Sequence, residues 1–424
     1  MAKTTSKIIA LALTGVCAST SANAAGWQLN DFSVAGLGRA YAGGGVVGDD
    51  YSALAYNPAG MTLGGTGVQA GISVIQLHAD VTGEYPAGSG KRDSTNVNVT
   101  TEVPNFFAQY KVNDRVAVGF GVYVPFGLAI EYPKDWIGTD HGIDSELAVI
   151  DYSTAVAVKA TDKLSLGLGI FARNANVDLT SSMTILSGPV AGKYENEFDL
   201  DDWGWGLHVG AMYEFTKNTR LGVSYRSRSQ HQIKGDFDYM KGAPGIAGTY
   251  DATLPMDAPE QVQLSGYHKL NDKIGLSAGA KWTRWSRFNA LVIKNSASPV
   301  EVAQRWQNAW NVSLGMDYYH SENWTFRTGI GFDESPVPNS YERTTAIADN
   351  DRWEIALGAS YKKSAWTFDM GYMFLYLPHY KVRNDRHNLN NVQTNPLLQP
   401  IDARYHTTAH VLGLQVQYSF DATP

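Results

Sequence analysis

The chain has 424 residues and a formal net charge of −7, and only 18% of its residues are charged. With 23 Tyr, 11 Trp and 42 Gly, it has less charge and more aromatic side chains than is usual in a soluble enzyme of this length. The negative charge and the lack of a basic run argue against a nucleic-acid partner.

The first 24 residues have the pattern of a secretory signal. Two lysines precede the nine-residue apolar run 8–16, and Ala22-Asn23-Ala24 matches the A-x-A motif of a cleavage site. Because a helix needs about 20 apolar residues to span a bilayer, this run is too short to be a membrane anchor. We therefore predict an exported chain that is cleaved after Ala24 and loses its only cysteine, Cys17, with the signal.

Residues 25–66 form an irregular, glycine-rich segment. It contains the triplet Gly43-Gly44-Gly45, the acidic pair Asp49-Asp50 and the turn sequence Asn57-Pro58-Ala59, and it shows no strand alternation. Glycine permits close backbone packing, and Asn-Pro favours a turn. These properties predict a compact segment that is confined by the structure built from the rest of the chain.

Alternation with a period of two residues dominates the chain after residue 66. In the last alternating stretch, Leu412, Leu414 and Val416 lie on one face, while glycine and glutamine occupy the other. No later stretch has the roughly 18 apolar residues of a transmembrane helix. Fourteen stretches with this pattern are predicted as strands: 67–81, 102–111, 116–124, 146–160, 164–177, 202–215, 219–235, 257–270, 274–288, 306–320, 324–333, 351–362, 365–377 and 406–420.

The predicted connections alternate in length. Six turns are short, and seven loops are long and polar: 82–101, 125–145, 178–201, 236–256, 289–305, 334–350 and 378–405. Short turns on one side and long loops on the other are typical of outer-membrane barrels. A soluble β-sandwich is the alternative, but its solvated face would carry many Lys and Glu, where this chain has Gly, Ser, Thr, Gln and Asn. The sequence therefore predicts an all-β fold, a fourteen-stranded antiparallel transmembrane β-barrel formed by residues 67–424.

Several motifs carry a resemblance to a known family. They are AGWQLNDFSVAGLGRAYAGGG after the predicted cleavage site, Asp49-Asp50, Asn57-Pro58-Ala59, Ser224-Tyr225-Arg226-Ser227, Trp282-Thr283-Arg284-Trp285-Ser286, NWTFRTGIGFDESPVP at 323–338 and DNDRW at 349–353. In these motifs, which follow one another in order through the mature chain, the sequence resembles the FadL-type long-chain fatty acid transporters of Gram-negative outer membranes.

The resemblance implies a barrel plugged by an N-terminal hatch, residues 25–66, and passive uptake of a hydrophobic ligand. In that family, the ligand passes from the outer loops to an internal pocket and leaves sideways through an opening at a kink in the third strand. The hatch gate would then include Asp49, Asp50, Asn57, Pro58 and Ala59. Loops 82–101, 178–201 and 236–256 are expected to form the capture groove. The expected partners are a hydrophobic small molecule and outer-membrane lipid, with a monomeric chain and no cofactor.

The third predicted strand, 116–124, is followed directly by Pro125. Because proline lacks the N–H that a ladder needs, it belongs at an edge, a bulge or a strand end. One interpretation is a plain strand end that leads into a loop. The other is that Gly119, Gly121, Pro125 and Gly127 let the wall bend away from its neighbour and form the lateral opening that the resemblance implies.

The ligand pocket and the head-group site need different residue types. The side chains predicted to line a hydrophobic pocket, or to form the core of the hatch, are Trp27, Leu29, Phe32, Val34 and Leu37. A carboxylate in a medium of low dielectric needs a cation or several donors. The head-group candidates on predicted lumen faces are Arg173, Arg226, Arg228, Lys281 and Arg327. The alternative role of each is a lumen ion pair with Asp49, Asp50, Asp317, Glu354 or Asp369.

The head-group positions depart from the family pattern. The family's fatty acid transporter uses a lysine just before the tenth strand and an arginine after the fifth, and these places here hold Gln307 and Ser181. An alternative substrate is therefore a neutral hydrophobic compound such as an aromatic hydrocarbon.

Other functions have weaker support in the sequence. An outer-membrane barrel lipase would need a Ser-His-Asp set that no motif indicates, and an open porin would not need a glycine-rich plug. No metal site is predicted, because Asp333-Glu334 is a single acidic pair and His406 and His410 are about 13 Å apart along one strand. The predicted function is transport, not enzymatic catalysis.

Overall fold

The computed structural model describes residues 26–185, 187–297, 299–384, 387, 389–390 and 399–421. The predicted signal, 1–24, and the predicted cleavage after Ala24 lie outside these residues. Within the described ranges, no helix has both the length and the apolar character needed to cross a membrane.

The described residues build a closed antiparallel barrel of fourteen strands. It closes where the first strand pairs with the last, from Gly67 opposite Ser419 to Glu84 opposite Asp402. The uninterrupted strands are β1 (Gly67–Glu84), β2 (Arg92–Lys111), β3 (Val116–Glu131), β4 (Asp144–Lys159), β5 (Leu164–Ile185), β6 (Gly192–Thr216), β11 (Trp324–Asp333), β12 (Arg352–Lys363), β13 (Trp366–Val382) and β14 (Asp402–Ser419). The interrupted strands are β7 (Thr219–Arg226 and Ser229–Lys241), β8 (Gly248–Ala258 and Gln261–Lys269), β9 (Ile274–Thr283 and Ala290–Asn295) and β10 (Val300–Ala303 and Ala309–Tyr319).

The two faces of the strands differ in polarity. On β14, Leu412 and Leu414 are 50% and 54% exposed, whereas Gln415 and Gln417 are 5% and 6% exposed. Apolar side chains outside and polar side chains inside reverse the burial of a soluble protein and are typical of a barrel in hydrocarbon. The predicted fold class is therefore confirmed.

Most strands extend beyond their predicted bounds on the long-loop side. β2 begins at residue 92 rather than 102 and β6 at residue 192 rather than 202, so the predicted loops 82–101 and 178–201 are largely strand. The alternation pattern missed these ends because both faces of the β2 end are exposed there, so the polarity of the side chains no longer alternates. The ladder nevertheless continues to the pair formed by Glu84 and Arg92.

The interruption in β7 changes which residues face the lumen. Arg226 is buried on the inner face, and the next buried residue is Ser229, so one extra residue shifts the alternation. Arg228 is exposed, and its guanidinium pairs with Asp257 at 3.3 Å. The prediction that Arg228 lies on the lumen face is wrong, because strict period-2 counting does not detect an irregularity of this kind.

Residues 26–66, called the N-terminal segment below, lie inside the barrel. They contain helices α1 (Val34–Leu37) and α2 (Ala53–Tyr56) and a 3-10 helix, Pro58–Leu63. Ser33 caps α1, because its side-chain oxygen accepts the N–H of Gly36 at 2.7 Å. Glycines of the wall permit close packing: a Cβ on Gly358 of β12 would lie 2.8 Å from the Cα of Gly38. The confined segment that the sequence predicted is therefore enclosed by the wall strands.

Strand β3 does not end at Pro125 but continues to Glu131 with a bulge. Its pairing with β4 shifts between Tyr123 and Phe126, where two residues of β3 oppose one of β4. Its pairing with β2 runs only from Lys111 opposite Ala117 to Phe106 opposite Val122. Beyond Val122, no ladder pair joins β2 to β3 in the described part of the chain, which leaves a gap in the wall. The interpretation of Pro125 as a plain strand end is wrong.

Candidate functional site

The N-terminal segment occupies the free edge of β3. The N–H of Leu29 donates to the carbonyl of Pro125 at 2.9 Å, and the N–H of Gly127 donates to the carbonyl of Trp27 at 2.8 Å. These two bonds form a bridge between Gln28 and Phe126. A strand edge otherwise leaves N–H and C=O groups without partners, which is costly in a membrane wall. Three residues of the segment thus take the place of β2 at the gap.

The residues predicted to shape the opening lie at different points of β3. Pro125 is part of the bulge, and Gly127 follows it, where an added Cβ would be 3.1 Å from the side chain of Leu29. Gly119 and Gly121 belong to the part that is still paired with β2. These two glycines leave space for Leu54 of the segment, which lies within 3.5 Å of an added Cβ at either position.

A buried charge network ties the N-terminal segment to the opposite wall. Arg39 donates to Asp49 at 2.7 Å and to Asp317 of β10 at 2.8 Å, and Arg327 of β11 reaches the same two carboxylates at 2.9 and 3.0 Å. Burial raises the pKa of Asp49, but the charges of Arg39 and Arg327 outweigh it and hold this pKa below its usual range. Arg327 thus forms the lumen ion pair that was its alternative predicted role.

The adjacent acidic residue, Asp50, forms no ion pair with any described residue. Its carboxylate accepts the hydroxyls of Ser33 and Ser52, the latter at 2.6 Å. Burial, and then the charge of Asp49, raise the pKa of Asp50 to about 6. The Asp49-Asp50 pair therefore contains one ionised and one weakly acidic carboxyl group.

The Asn57-Pro58-Ala59 turn lies against β5, β6 and β7. The side-chain amide of Asn57 donates to the carbonyls of Ala211 at 3.1 Å and Val223 at 3.3 Å, and its oxygen accepts the N–H of Ala59 at 3.0 Å. Gly167 of β5 is in close contact with Pro58 and Ala59. The turn thus contacts the wall away from the gap rather than facing β3.

A cavity of about 270 Å³ lies in the outer part of the barrel, on the long-loop side. Apolar side chains and hydroxyl groups line it together. Its apolar lining includes Leu179, Phe198, Phe237, Leu291, Ile293 and Val302, and its hydroxyl groups include Ser145, Thr180, Ser181, Ser182, Thr184 and Thr344. A concave, largely apolar site with a few polar groups is typical of a small-molecule pocket.

The polar part of this outer cavity contains a donor without a partner. Gln304 is 1% exposed, and its side-chain oxygen accepts the ring N–H of Trp306 at 3.1 Å. Its amide nitrogen bonds to no group within the described ranges. Among the described residues, no lysine or arginine lines the cavity. At the two positions where the family's fatty acid transporter has head-group residues, this chain has Ser181 and Gln307. Ser181 lines the cavity, whereas Gln307 is exposed, and the amide group in the lining belongs to Gln304.

An aromatic cluster adjoins the cavity and connects it to the N-terminal segment. Trp306 packs on Trp285 and Phe288, with ring centroids 5.1 and 4.8 Å apart, and Trp27 packs on both of those rings. Trp27 also contacts Phe126 in the bulge of β3, at 5.4 Å. The cluster thus lies between the outer cavity and the bulge.

The predicted pocket residues are all buried, but none of them lines the outer cavity. Trp27 belongs to the aromatic cluster, and Leu29 lies against Gly127. Phe32 packs between Tyr56 and Tyr123, at 5.0 and 4.8 Å. Val34 and Leu37 pack on wall glycines of β13 and β14.

Most cationic head-group candidates are engaged in buried ion pairs. Arg173 donates to Asp151 at 2.6 and 2.9 Å, and Arg226 pairs with the same carboxylate and with the hydroxyl of Tyr123. Lys281 bonds to the side-chain oxygen of Asn30 in the N-terminal segment. None of these candidates reaches the outer cavity.

Asp349 was not among the predicted site residues. Its carboxylate accepts the N–H of Gly26 at 3.0 Å and the hydroxyl of Ser335 at 2.6 Å, so it holds the start of the N-terminal segment. Burial raises the pKa of Asp349 to about 6. The only signal in the sequence was its place in the DNDRW motif, which gave no role to any one residue.

Together these features define a class of protein. An apolar outer belt, a lumen filled by the N-terminal segment, an outer cavity and a gap in the wall describe a plugged membrane channel rather than an open pore. The chain belongs to the outer membrane protein transport protein family (OMPP1/FadL/TodX), whose sequence profile matches residues 15–420. It is therefore a FadL-type outer-membrane transporter, and the resemblance seen in the motifs is confirmed.

Known proteins resemble the chain over most of its length. The long-chain fatty acid transport protein of Salmonella typhi is 31% identical over 399 residues, which cover 87% of this chain and 91% of that protein. A FadL homologue of Pseudomonas aeruginosa has a TM-score of 0.81 at 24% identity and covers 93% of this chain and 100% of that structure. The toluene transporter TodX of Pseudomonas putida has a TM-score of 0.68 at 16% identity, with 94% and 100% coverage.

Proposed function

We propose that this transporter takes up long-chain fatty acids passively. The ligand binds in the outer cavity, passes the aromatic cluster when the N-terminal segment moves, and leaves sideways through the gap between β2 and β3 into the membrane. Residues 25–66 act as the hatch, the mature chain begins at Ala25, and one chain suffices. The observation that carries the proposal is the gap in the wall, occupied by the hatch through Trp27 and Leu29.

The hydrophobic effect can drive each step of this route. Each CH2 group that leaves water for an apolar site contributes about 0.8 kcal/mol, so a long acyl chain favours both the cavity and the membrane over water. The lateral exit keeps the acyl chain of the ligand away from the polar lumen. Because the free energy of the ligand falls from water to the membrane, this transport needs no coupled energy source.

A second candidate substrate is a neutral hydrophobic compound. The described lining of the outer cavity includes hydroxyl groups, the amide of Gln304, the imidazole of His141 and the carboxylate of Asp140, but no lysine or arginine. Neutral donors can bind a carboxylate, yet they do so more weakly than a cation does. The fatty acid transport proteins among the relatives support the first candidate, and the likeness to toluene transporters agrees with the second.

Uptake by cells that lack their own transporter would test both candidates. Cells that carry the protein are given labelled oleate or labelled toluene, and heat-modifiable mobility of the barrel on gels confirms its insertion. We expect oleate uptake above that of cells carrying the empty vector. Uptake of toluene alone would favour the second candidate. Uptake of neither compound by inserted protein would contradict the proposal.

A further inference from the structure

Lys281 is a buried cation of the barrel lumen. It lies on the inner face of β9, is 8% exposed, and donates to the side-chain oxygen of Asn30. No carboxylate within the described ranges forms an ion pair with it. The buried arginines of the wall strands differ in this respect, since Arg173, Arg226, Arg327 and Arg352 each pair with an aspartate. An unpaired buried ammonium is costly, so this position favours an anion.

One side of Lys281 faces basic groups. A small cavity directly behind Pro125 is lined by Lys281, Arg226, His208 and Gln263, and its described lining contains no acidic side chain. Arg226 shares the single carboxylate of Asp151 with Arg173, and its Nε has no partner among the described residues. Two guanidinium groups thus compete for one carboxylate beside an unpaired ammonium.

Two buried acidic side chains attract Lys281 electrostatically. Asp333 of β11 pairs with Arg352, and Glu354 of β12 is buried near this pair. Neither forms an ion pair with Lys281 among the described contacts. The small cavity beside the bulge of β3 is nevertheless lined by both Lys281 and Arg226 and, among the described residues, by no carboxylate.

The position of this cavity relates it to the gap in the wall. Pro125 lies at the bulge of β3, and Phe32 of the N-terminal segment forms another side. The cavity volume is about 10 Å³, room for about one water molecule. Displacement of Phe32 together with the segment would enlarge the space beside Lys281 and Arg226. The cations would then face a ligand at the start of its lateral exit.

We propose that Lys281, assisted by Arg226, binds the carboxylate of a hydrophobic acid at the wall opening, after the ligand leaves the outer cavity and before it enters the membrane. The proposal rests on the uptake route described above and adds a second binding site, which distinguishes a carboxylate from a neutral head group. The two sites then have different roles, because the apolar lining of the outer cavity binds the acyl chain, whereas the cations of the inner site bind the carboxylate.

Two ligands with the same hydrocarbon chain and different head groups test this assignment. Uptake of labelled oleate and of labelled oleyl alcohol is measured for the wild type, Lys281→Gln and Lys281→Arg. Loss of a charge-assisted bond of about 1.5 kcal/mol should lower oleate uptake about tenfold in Lys281→Gln. The alcohol, which has no charge to bind, should enter as in the wild type. Lys281→Arg should restore oleate uptake.

Lys234→Gln provides a matched control, because Lys234 is an exposed lysine of β7. Equal loss of both ligands in Lys281→Gln would show a structural role, for example through Glu354, and would overturn the proposal. Unchanged oleate uptake in that variant would overturn it as well. A wild type that takes up the alcohol but not oleate would exclude a carboxylate substrate and leave the uptake route intact. A wild type that takes up neither would contradict the route itself.

Discussion

At the scale of single residues, the start of the N-terminal segment is held by one carboxylate from an outer loop. Asp349 accepts the N–H of Gly26, and the next contacts along the chain are the ladder bonds of Trp27 and Leu29 with β3. Removal of this acceptor leaves a buried N–H without a partner, which costs about 1–3 kcal/mol. Asp349 is therefore the residue whose loss should release the segment at the gap.

Asp349→Ala should speed amide exchange at residues 26–29 by about tenfold, because this factor corresponds to about 1.4 kcal/mol of lost local stability. Hydrogen exchange followed by mass spectrometry would measure it, with peptides of β14 as the internal reference. Asp351→Ala is the matched control, since Asp351 is a neighbouring carboxylate that accepts the N–H of Ser335 at 2.8 Å rather than that of Gly26. Unchanged exchange at residues 26–29 would show that Asp349 does not hold the segment.

At the scale of elements, the bulge of β3 determines where the wall opens. One extra residue of β3 lies between the pairs Tyr123–Asp151 and Phe126–Val149, and the pairing with β2 stops at the same level. A bulge bends a strand and increases its twist, so the edge of β3 turns away from β2. Beyond the bulge, Leu128 and Ile130 are again inward-facing residues, and they lie opposite inward-facing residues of β4.

Deletion of Pro125 should close the wall. It removes the extra residue, so Tyr123 and Phe126 keep their inward faces and β3 becomes regular enough to pair with β2. We expect uptake of labelled oleate to fall at least about tenfold, while binding of a fluorescent fatty acid to the purified barrel persists. Pro125→Ala, which keeps the residue count and the bulge, is the control. Wild-type uptake in the deletion variant would exclude a lateral exit at β3.

At the scale of the whole molecule, the barrel wall and the N-terminal segment form one packed unit. Three carboxyl groups in and around the segment, those of Asp31, Asp50 and Asp349, have a pKa that burial raises from 3.8 to about 6. Each binds its proton more tightly in the folded state than in the unfolded state. Their contribution to stability is thus fully present below about pH 4 and is lost as the pH rises through about 6.

The wild type should therefore resist urea better at about pH 5 than at about pH 7.5, as measured by tryptophan fluorescence in detergent micelles. Asp50→Asn removes one of the three groups and should reduce this difference. Asp93→Asn, which changes an exposed carboxyl group in β2, should leave the difference as in the wild type. An Asp50→Asn protein with the full wild-type difference would show that Asp50 does not contribute.

Much of the fold followed from the sequence because a membrane barrel is organised by alternation, which is local. Leu412, Leu414 and Val416 identified β14 and its outer face, and the β11 bounds of 324–333 were predicted without error. The strand ends beyond the apolar belt were missed because alternation stops there. The face of Arg228 was missed because only the actual pairing reveals an extra residue in a strand.

The site depended on the tertiary structure to a greater extent. The motifs indicated the family, and the proline after the third predicted strand drew attention to Pro125. Neither signal could show that β2 and β3 separate or that Trp27 and Leu29 occupy the free edge. The outer cavity collects side chains from β4, β5, β6, β7, β9 and β10, and its lining depends on how these strands close around the segment. The barrel, most of its lumen faces and its family could be read from the sequence, because these follow from local periodicity and motif order. Only the tertiary structure decided which buried cations are paired, because burial and pairing depend on contacts between residues far apart in the chain.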